Sequence, residues 1–170
     1  MGRSTGGLLA LLCLFAGGAR AAGNDLAARV PLELPTPTTV EAIYDGSLLV
    51  LELVSDLDGH PAQNAQGYAR AEYSYTEDGQ LLTESFFDTD GNPARTDRGY
   101  ASSQRAYARL EGREKLALVS EAFFDAQGRY ADMPGGYARK VNTYEGDRIV
   151  STAHFDQGGR LTRPAGGYAL

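Results

Sequence analysis

Tryptophan is absent from this chain, cysteine occurs once and histidine only twice in 170 residues. Without tryptophan the chain lacks the largest aromatic face that could stack on a ligand. With two histidines, His60 and His154, there is little material for a proton relay or a histidine-rich metal site. Gly-x-Ser-x-Gly, His-Glu-x-x-His and the phosphate-binding loop are all missing. Basic residues are outnumbered 16 to 22 by acidic ones, so the basic surface from which nucleic-acid recognition starts is missing too. The longest apolar run, Leu8 to Ala16, is shorter than the roughly 20 residues that a transmembrane helix needs.

That short run is the centre of an export signal. Arg3 supplies a positive start, and Ala19-Arg20-Ala21 gives the small-x-small pattern of a cleavage site. Residues 1–21 are therefore expected to be a signal peptide, which sends the mature chain to the periplasm or outside the cell. Cys13 lies within this segment behind Ala10-Leu11-Leu12, not behind the Gly or Ala that precedes a lipidated cysteine, and is expected to leave with the peptide. A mature chain without cysteine has no disulfide, no thiol nucleophile and no thiolate metal ligand. An exported protein without disulfides must be held by its sheet and core, as bacterial envelope proteins are. Loss of Arg3 and Arg20 leaves 14 basic and 22 acidic residues, a net charge of −8. Residues 22–39 carry Pro31, Pro35 and Pro37 with no strand pattern, and read as an extended leader.

From 40 to 170 the chain repeats. Asp56-Leu57-Asp58-Gly59 leads to Gly67-Tyr68-Ala69, and Asp88-Thr89-Asp90-Gly91 leads to Gly99-Tyr100-Ala101. Asp125-Ala126-Gln127-Gly128 leads to Gly136-Tyr137-Ala138, and Asp156-Gln157-Gly158-Gly159 leads to Gly167-Tyr168-Ala169. The aspartates Asp56, Asp88, Asp125 and Asp156 are 32, 37 and 31 residues apart, and the tyrosines keep the same intervals. Two landmarks in step mean a tandem repeat.

Within one unit, Ala69, Ala71, Tyr73 and Tyr75 alternate with Arg70, Glu72 and Ser74, the period of a half-buried strand. Asp78-Gly79 then marks a hairpin turn, and the Thr- and Phe-rich run Leu81 to Asp88 suits a second strand. Aligned on the aspartate, Phe86, Phe123 and His154 share a column with Val54; Phe87, Phe124 and Phe155 share the next with Ser55. Glu52, Glu84 and Glu121 share another, where the fourth unit has Thr152. The extra length of the third unit falls at Leu110 to Lys115, where a longer hairpin tip is cheap. The expected fold is all-β: about four tandem antiparallel hairpins, about eight strands, in an open twisted meander with Tyr and Phe ladders as core. The alternative is closure into an eight-stranded soluble barrel. A membrane barrel is disfavoured because Arg70, Glu72, Glu84 and Arg139 interrupt any apolar band.

The pattern Phe-Phe-Asp-x-Asp-Gly-Asn-Pro-x(5)-Gly-Tyr-Ala, seen over Phe86 to Ala101, together with Tyr-x-Tyr at Tyr73 to Tyr75, resembles the tyrosine-aspartate (YD/RHS-like) repeats of exported bacterial proteins, over roughly Val40 to Leu170 and best in the second unit. The resemblance implies a β scaffold and brings no catalytic residues with it. Phe86-Phe87-Asp88-x-x-Gly91 is also, more weakly, similar to the aromatic-Asp-Gly core of glucan- and cell-wall-binding repeats.

Four groups of residues are candidate sites. Asp88, Asp90 and Asn92 alternate as a calcium loop begins, but glycine falls at the fourth position and no Glu stands at the twelfth, so the acidic segments read as turns and no metal is expected. The Glu52, Glu84, Glu121 column supplies similar carboxylates where glycoside hydrolysis needs unlike ones, and reads as a ladder with Arg70 and Arg139 as partners. In an open array His60 and His154 lie on the order of 29 Å apart at ~4.8 Å per strand. Neither catalysis nor a cofactor is expected. The candidate ligand-binding residues are Tyr68, Tyr100, Tyr137 and Tyr168, one per unit, whose rings in a row would suit a sugar chain or an extended peptide. The competing reading is that each ring covers the next hairpin while its glycine allows close approach. Gly167-Tyr168-Ala169-Leu170 opens a fifth unit without strands after it, and an uncapped edge invites pairing. The expected function is a non-catalytic exported scaffold that binds a protein or cell-envelope component, without nucleic acid or a membrane span; a glycan-binding module is the alternative.

Overall fold

The computed structural model describes residues 37–164. Nine strands follow in chain order: β1 (Thr39–Asp45), β2 (Leu48–Ser55), β3 (Arg70–Tyr75), β4 (Leu81–Phe87), β5 (Ser102–Ala108), β6 (Ala117–Phe124), β7 (Arg139–Glu145), β8 (Arg148–Phe155) and β9 (Leu161–Thr162). They form one antiparallel sheet in which every strand lies beside its sequence neighbour. The sheet is an open meander, and the barrel alternative is not formed. The ninth strand, unforeseen in the sequence, is two residues long; its counterparts in the earlier units are single bridges, Ser55 to Pro61, Phe87 to Pro93 and Phe124 to Tyr130. The expected signal peptide, most of the leader and Tyr168 lie outside the described residues.

Two kinds of junction alternate across the sheet. Within a hairpin the strands pair along their whole length, with one irregularity beside Tyr44, Tyr75, Tyr107 and Tyr144 respectively. Between hairpins the pairing is shorter: Leu51 to Leu53 against Arg70 to Glu72, Thr83 to Ser85 against Ser102 to Gln104, and Ser120 to Ala122 against Arg139 to Val141. The shorter junctions are extended by single backbone bonds, Val54 N–H to Ala69 C=O, Phe86 N–H to Ala101 C=O and Phe123 N–H to Ala138 C=O.

The register places Glu52, Ala71, Phe86, Ser103, Phe123, Lys140 and His154 on one face. The acidic turns and Gly-Tyr loops fold over this face, and Val54, Ala71, Phe86, Tyr68, Tyr100 and Phe123 are buried there. The opposite face carries no second layer among the described residues. There Phe87, Phe124 and Phe155 are only half-buried, covered by the Arg70 guanidinium at 4.2 Å, the stacked Tyr130 ring at 5.3 Å and the Arg139 guanidinium at 4.5 Å.

The acidic segments are turns. Asp56 Oδ1 accepts the N–H groups of Asp58 and His60 at 2.9 Å, and Asp88 Oδ1 accepts those of Asp90 and Asn92 at 2.9 and 2.8 Å. Asp125 does the same for Gln127 and Arg129. These N–H donors, the turn-closing one first in each case, hold Asp56, Asp88 and Asp125 below the ordinary carboxylate value of 3.8. A depressed folded-state value means stability present above that ordinary value and lost as the pH falls through the lower folded one. Thermal midpoints recorded through the acid range should fall below about pH 4, and Asp88→Asn, whose amide oxygen still accepts both bonds, should flatten part of that fall.

The glycine ahead of Tyr100 is fixed by space as well as by conformation. Gly99 has φ +92°, and a Cβ there would lie 3.3 Å from Pro134 Cδ and 3.4 Å from the Asp132 carbonyl in the next loop. Gly91 has a similar φ of +82° with open space around it. Gly99→Ala should therefore destabilise by more than about 1 kcal/mol, the usual scale for alanine forced to positive φ, and by more than Gly91→Ala, measured by urea unfolding.

Candidate functional site

The four candidate tyrosines were predicted either to line a ligand track or to cover the next hairpin. Tyr68 and Tyr100 are 5 % and 4 % exposed, and Tyr137 is half-buried against the same core. Their rings interleave with the strand aromatics in one continuous column. Tyr68 lies 5.1 Å from Phe86, Phe86 6.1 Å from Tyr100, Tyr100 4.8 Å from Phe123, Phe123 6.0 Å from Tyr137, and Tyr137 4.6 Å from the His154 ring. Tyr100 and Tyr137 thus sit between strand rings of consecutive hairpins, while Tyr68 meets a ring only at Phe86 and shares the core cluster with Val54. Tilted and edge-on pairs at these separations add about 0.5–1.5 kcal/mol each beyond their burial. The row of open aromatic faces that a sugar chain would need is not formed by Tyr68 and Tyr100.

Beside this column runs the glutamate ladder. Tyr68 Oη donates to Glu52 Oε2 at 3.1 Å and Tyr73 Oη to the same oxygen at 2.6 Å. Glu84, 4 % exposed, accepts from Tyr100 Oη at 2.8 Å and Ser103 Oγ at 3.0 Å. Arg98 and Arg105 approach it at 3.5 and 3.7 Å. Glu121 is held by Arg105 at 2.8 Å and Lys140 at 3.1 Å. Arg70 and Arg139, expected as the ladder's cations, belong to the other face. Residues alternate faces along a strand, and Arg70 and Arg139 are one position out of step with the glutamates. The true cations, Arg105 and Lys140, stand on the same face as the carboxylates they meet.

The phenols respond to this setting. Burial, reinforced by the Glu84 carboxylate, pushes Tyr100 well above the usual tyrosine range, and burial with Glu52 does the same for Tyr73 and Tyr68. Tyr75 and Tyr107 are raised by burial. A raised folded-state value means stability fully present below the ordinary value of 10 and lost as the pH rises. An ultraviolet titration should therefore show a late group, Tyr68, Tyr73, Tyr75, Tyr100 and Tyr107, that ionises above the ordinary value and only as the sheet opens. A single transition near pH 10 would contradict the burial of these hydroxyls.

A second tyrosine series, missed in the sequence, locks one hairpin to the previous one. Tyr75 Oη donates to the Leu49 carbonyl at 2.7 Å, Tyr107 Oη to Leu81 at 2.8 Å and Tyr144 Oη to Leu118 at 2.9 Å. Its signal is present in the sequence, because Tyr44, Tyr75, Tyr107 and Tyr144 are 31, 32 and 37 residues apart, but strand alternation does not show which carbonyl each hydroxyl meets. Tyr44, in the first hairpin, is 58 % exposed.

The remaining groups have local roles. Asp56, Asp58 and His60 bring carboxylate and imidazole atoms within 4.8 Å of one another, but Asp56 Oδ1 is occupied by the two turn N–H groups. His154 is kept below its ordinary value by burial and then by the Lys140 charge, and it ends the aromatic column. The Leu110–Lys115 tip is tied by Arg109 Nη1 to the Glu114 carbonyl at 3.1 Å, and Gln80 of the neighbouring hairpin reaches the Leu116 carbonyl at 2.9 Å.

What stays open is at the sheet's two sides. Val40, Ile43 and Tyr44 on β1 and Ile149 and Val150 on β8 make up most of the exposed large apolar residues. Among the described residues, β1 pairs only with β2, and β8 beyond its contact with β9 pairs only with β7. Searches against protein-family models, curated proteins and solved structures find no match to this chain.

Proposed function

We propose that this chain is a non-catalytic, exported β-repeat scaffold whose working surfaces are its sheet edges, and that it binds another protein or a component of the cell envelope through them. The observation that carries this reading is where the apolar surface lies. The repeat aromatics are consumed in the column between hairpins, whereas Val40, Ile43, Tyr44, Ile149 and Val150 remain exposed on β1 and β8. An edge strand with apolar side chains offers unpaired backbone groups to an incoming strand. The carboxylates that would have served hydrolysis are engaged by phenols, hydroxyls and cations of the ladder, which favours a structural role over catalysis. The charged start, apolar run and Ala19-Arg20-Ala21 of residues 1–21, with the likeness to tyrosine-aspartate repeats, support a scaffold that works in the periplasm or outside the cell.

The reading is tested with a photo-crosslinking side chain placed at Ile43, at Ile149 or, as control, at Leu57 in the cells that export the chain. Protein adducts from Ile43 or Ile149 and none from Leu57 are expected. No adduct from either edge position would reject it, and glycan adducts with no protein adduct would replace it with the cell-wall-binding alternative. The N-terminus of the exported chain, read by sequencing, is expected at Ala22.

A further inference from the structure

Resting on the scaffold reading, we propose that the edge partner is a second copy of this chain, with the β8 edge of one copy pairing the β1 edge of the next, head to tail. The three junctions between hairpins show what such a junction requires. Each pairs three residues of an outgoing strand with three of an incoming one, and each is locked by a tyrosine hydroxyl on the carbonyl of Leu49, Leu81 or Leu118. The two sides of the sheet carry the two halves of a fourth such junction. Tyr44 stands in the donor column, 31 residues before Tyr75, and Ile149 in the acceptor column, 31 residues after Leu118.

The same intervals give the register. Ser151, Thr152 and Ala153 correspond to Leu51, Glu52 and Leu53, while Thr39, Val40 and Glu41 correspond to Arg70, Ala71 and Glu72. Thr152 would then face Val40 of the second copy, with Ser151 against Glu41. Strand direction agrees, because β1 and β8 are the first and eighth strands of an antiparallel series, so a following β1 continues the alternation.

The side chains at the two edges are changed together. Inside the array the carboxylate of Glu52, Glu84 or Glu121 is answered by a polar group from the next hairpin, such as Tyr73, Arg105 or Lys140. On β8 that carboxylate is replaced by Thr152, and on β1 the Tyr73 and Arg105 column is occupied by Ala42. Acid and partner disappear from opposite edges, so joining the two leaves no buried charge unpaired. The five exposed apolar side chains of β1 and β8 would be brought into one contact. Such a contact uses different patches on the two copies, so it does not close at a dimer and extends into short filaments.

The experiment is sedimentation velocity on the exported chain between about 1 μM and about 1 mM, the range of weak association. A concentration-dependent series of dimers, trimers and longer species is expected. Two edge variants sharpen it. Val54 N–H points across the junction to Ala69, so the period of two puts Glu52 N–H, and by repeat Thr152 N–H, on the outgoing edge. Val40 lies in the column of Ala71, which faces Glu52. Thr152→Pro and Val40→Pro each remove an edge donor where proline is tolerated. Each variant alone should weaken self-association at least about tenfold, the effect of roughly 1.4 kcal/mol. An equimolar mixture should restore a single 1:1 dimer, because each supplies the edge the other lacks.

An unaltered chain that stays monomeric at about 1 mM, or that stops at a closed symmetric dimer, overturns the proposal. So does a mixture that forms nothing while the unaltered chain associates. If the unaltered chain is monomeric but Ile43 or Ile149 still crosslinks a different protein, self-pairing fails and the scaffold reading stands. If neither occurs, both fail.

Discussion

Phe86→Ala is expected to lower unfolding stability by about 3–5 kcal/mol, the range for a large ring removed from a packed core. Phe86 is 1 % exposed and lies between Tyr68 at 5.1 Å and Tyr100 at 6.1 Å. Its loss removes the ring's own burial and leaves the two loop tyrosines facing a cavity. The effect is larger than for a ring serving one hairpin, because Phe86 stands on β4 while Tyr68 enters β3 and Tyr100 enters β5. A loss on this scale is a large share of the roughly 5–15 kcal/mol that holds an ordinary domain together. Phe87→Ala, one residue on but on the half-buried face under the Arg70 guanidinium, should cost distinctly less. Urea unfolding followed by circular dichroism measures both. Equal losses would mean that the two faces contribute alike, against the single-layer core described above.

The second large effect is Glu84→Ala, expected to cost about 3–5 kcal/mol, as removal of one member of a buried charged cluster does. Alanine would leave the Tyr100 and Ser103 hydroxyls without their acceptor, and Arg105, only 18 % exposed, with Glu121 alone. Tyr100→Phe removes only one donor to that carboxylate and should cost about 1.5–3 kcal/mol, the value of a hydrogen bond to a charged group. Combined, the two substitutions should fall short of additivity, since the second removes a group that the first has already orphaned. Glu111→Ala, in the exposed third-unit tip, should change stability by less than about 0.5 kcal/mol. Additive losses at Glu84 and Tyr100 would show that their 2.8 Å contact contributes nothing to folding.

The sheet was legible because repetition tests every local reading four times. The period of two in Ala69 to Tyr75, the turn at Asp78-Gly79 and the Phe86, Phe123, His154 column each recur at one interval, and the hairpins, the open order and the core column follow from them. The third-unit insertion was legible for the same reason, as the one place where the interval lengthens. What the pattern did not carry was the partnering of side chains across hairpins. Choosing between Arg70 and Arg105 as a partner for a glutamate depends on a one-residue phase between paired strands, and spacing along the chain does not set it. The exposure of the Gly-Tyr rings was open for a related reason. A tyrosine beside a positive-φ glycine can point outward from a loop or fold back onto the sheet, and only the packing of Tyr68 against Phe86 decides it. The two-residue β9 was unforeseen because Leu161 extends what Pro61, Pro93 and Tyr130 leave as single bridges.

The account rests on one claim: shared rings hold the hairpins together from within, and the open sides of the array are its least stable and most available parts. Amide hydrogen exchange of the chain at high dilution, resolved to individual strands, tests it most directly. The account predicts that β4, β5 and β6, which flank Phe86, Tyr100 and Phe123, exchange only through global unfolding, while β1 and the Arg148–Ala153 part of β8 exchange by local opening and lose their protons far sooner. If β1 and β8 are instead protected as strongly as β4 at high dilution, both edges are already covered within the single chain, and the edge-binding function is contradicted.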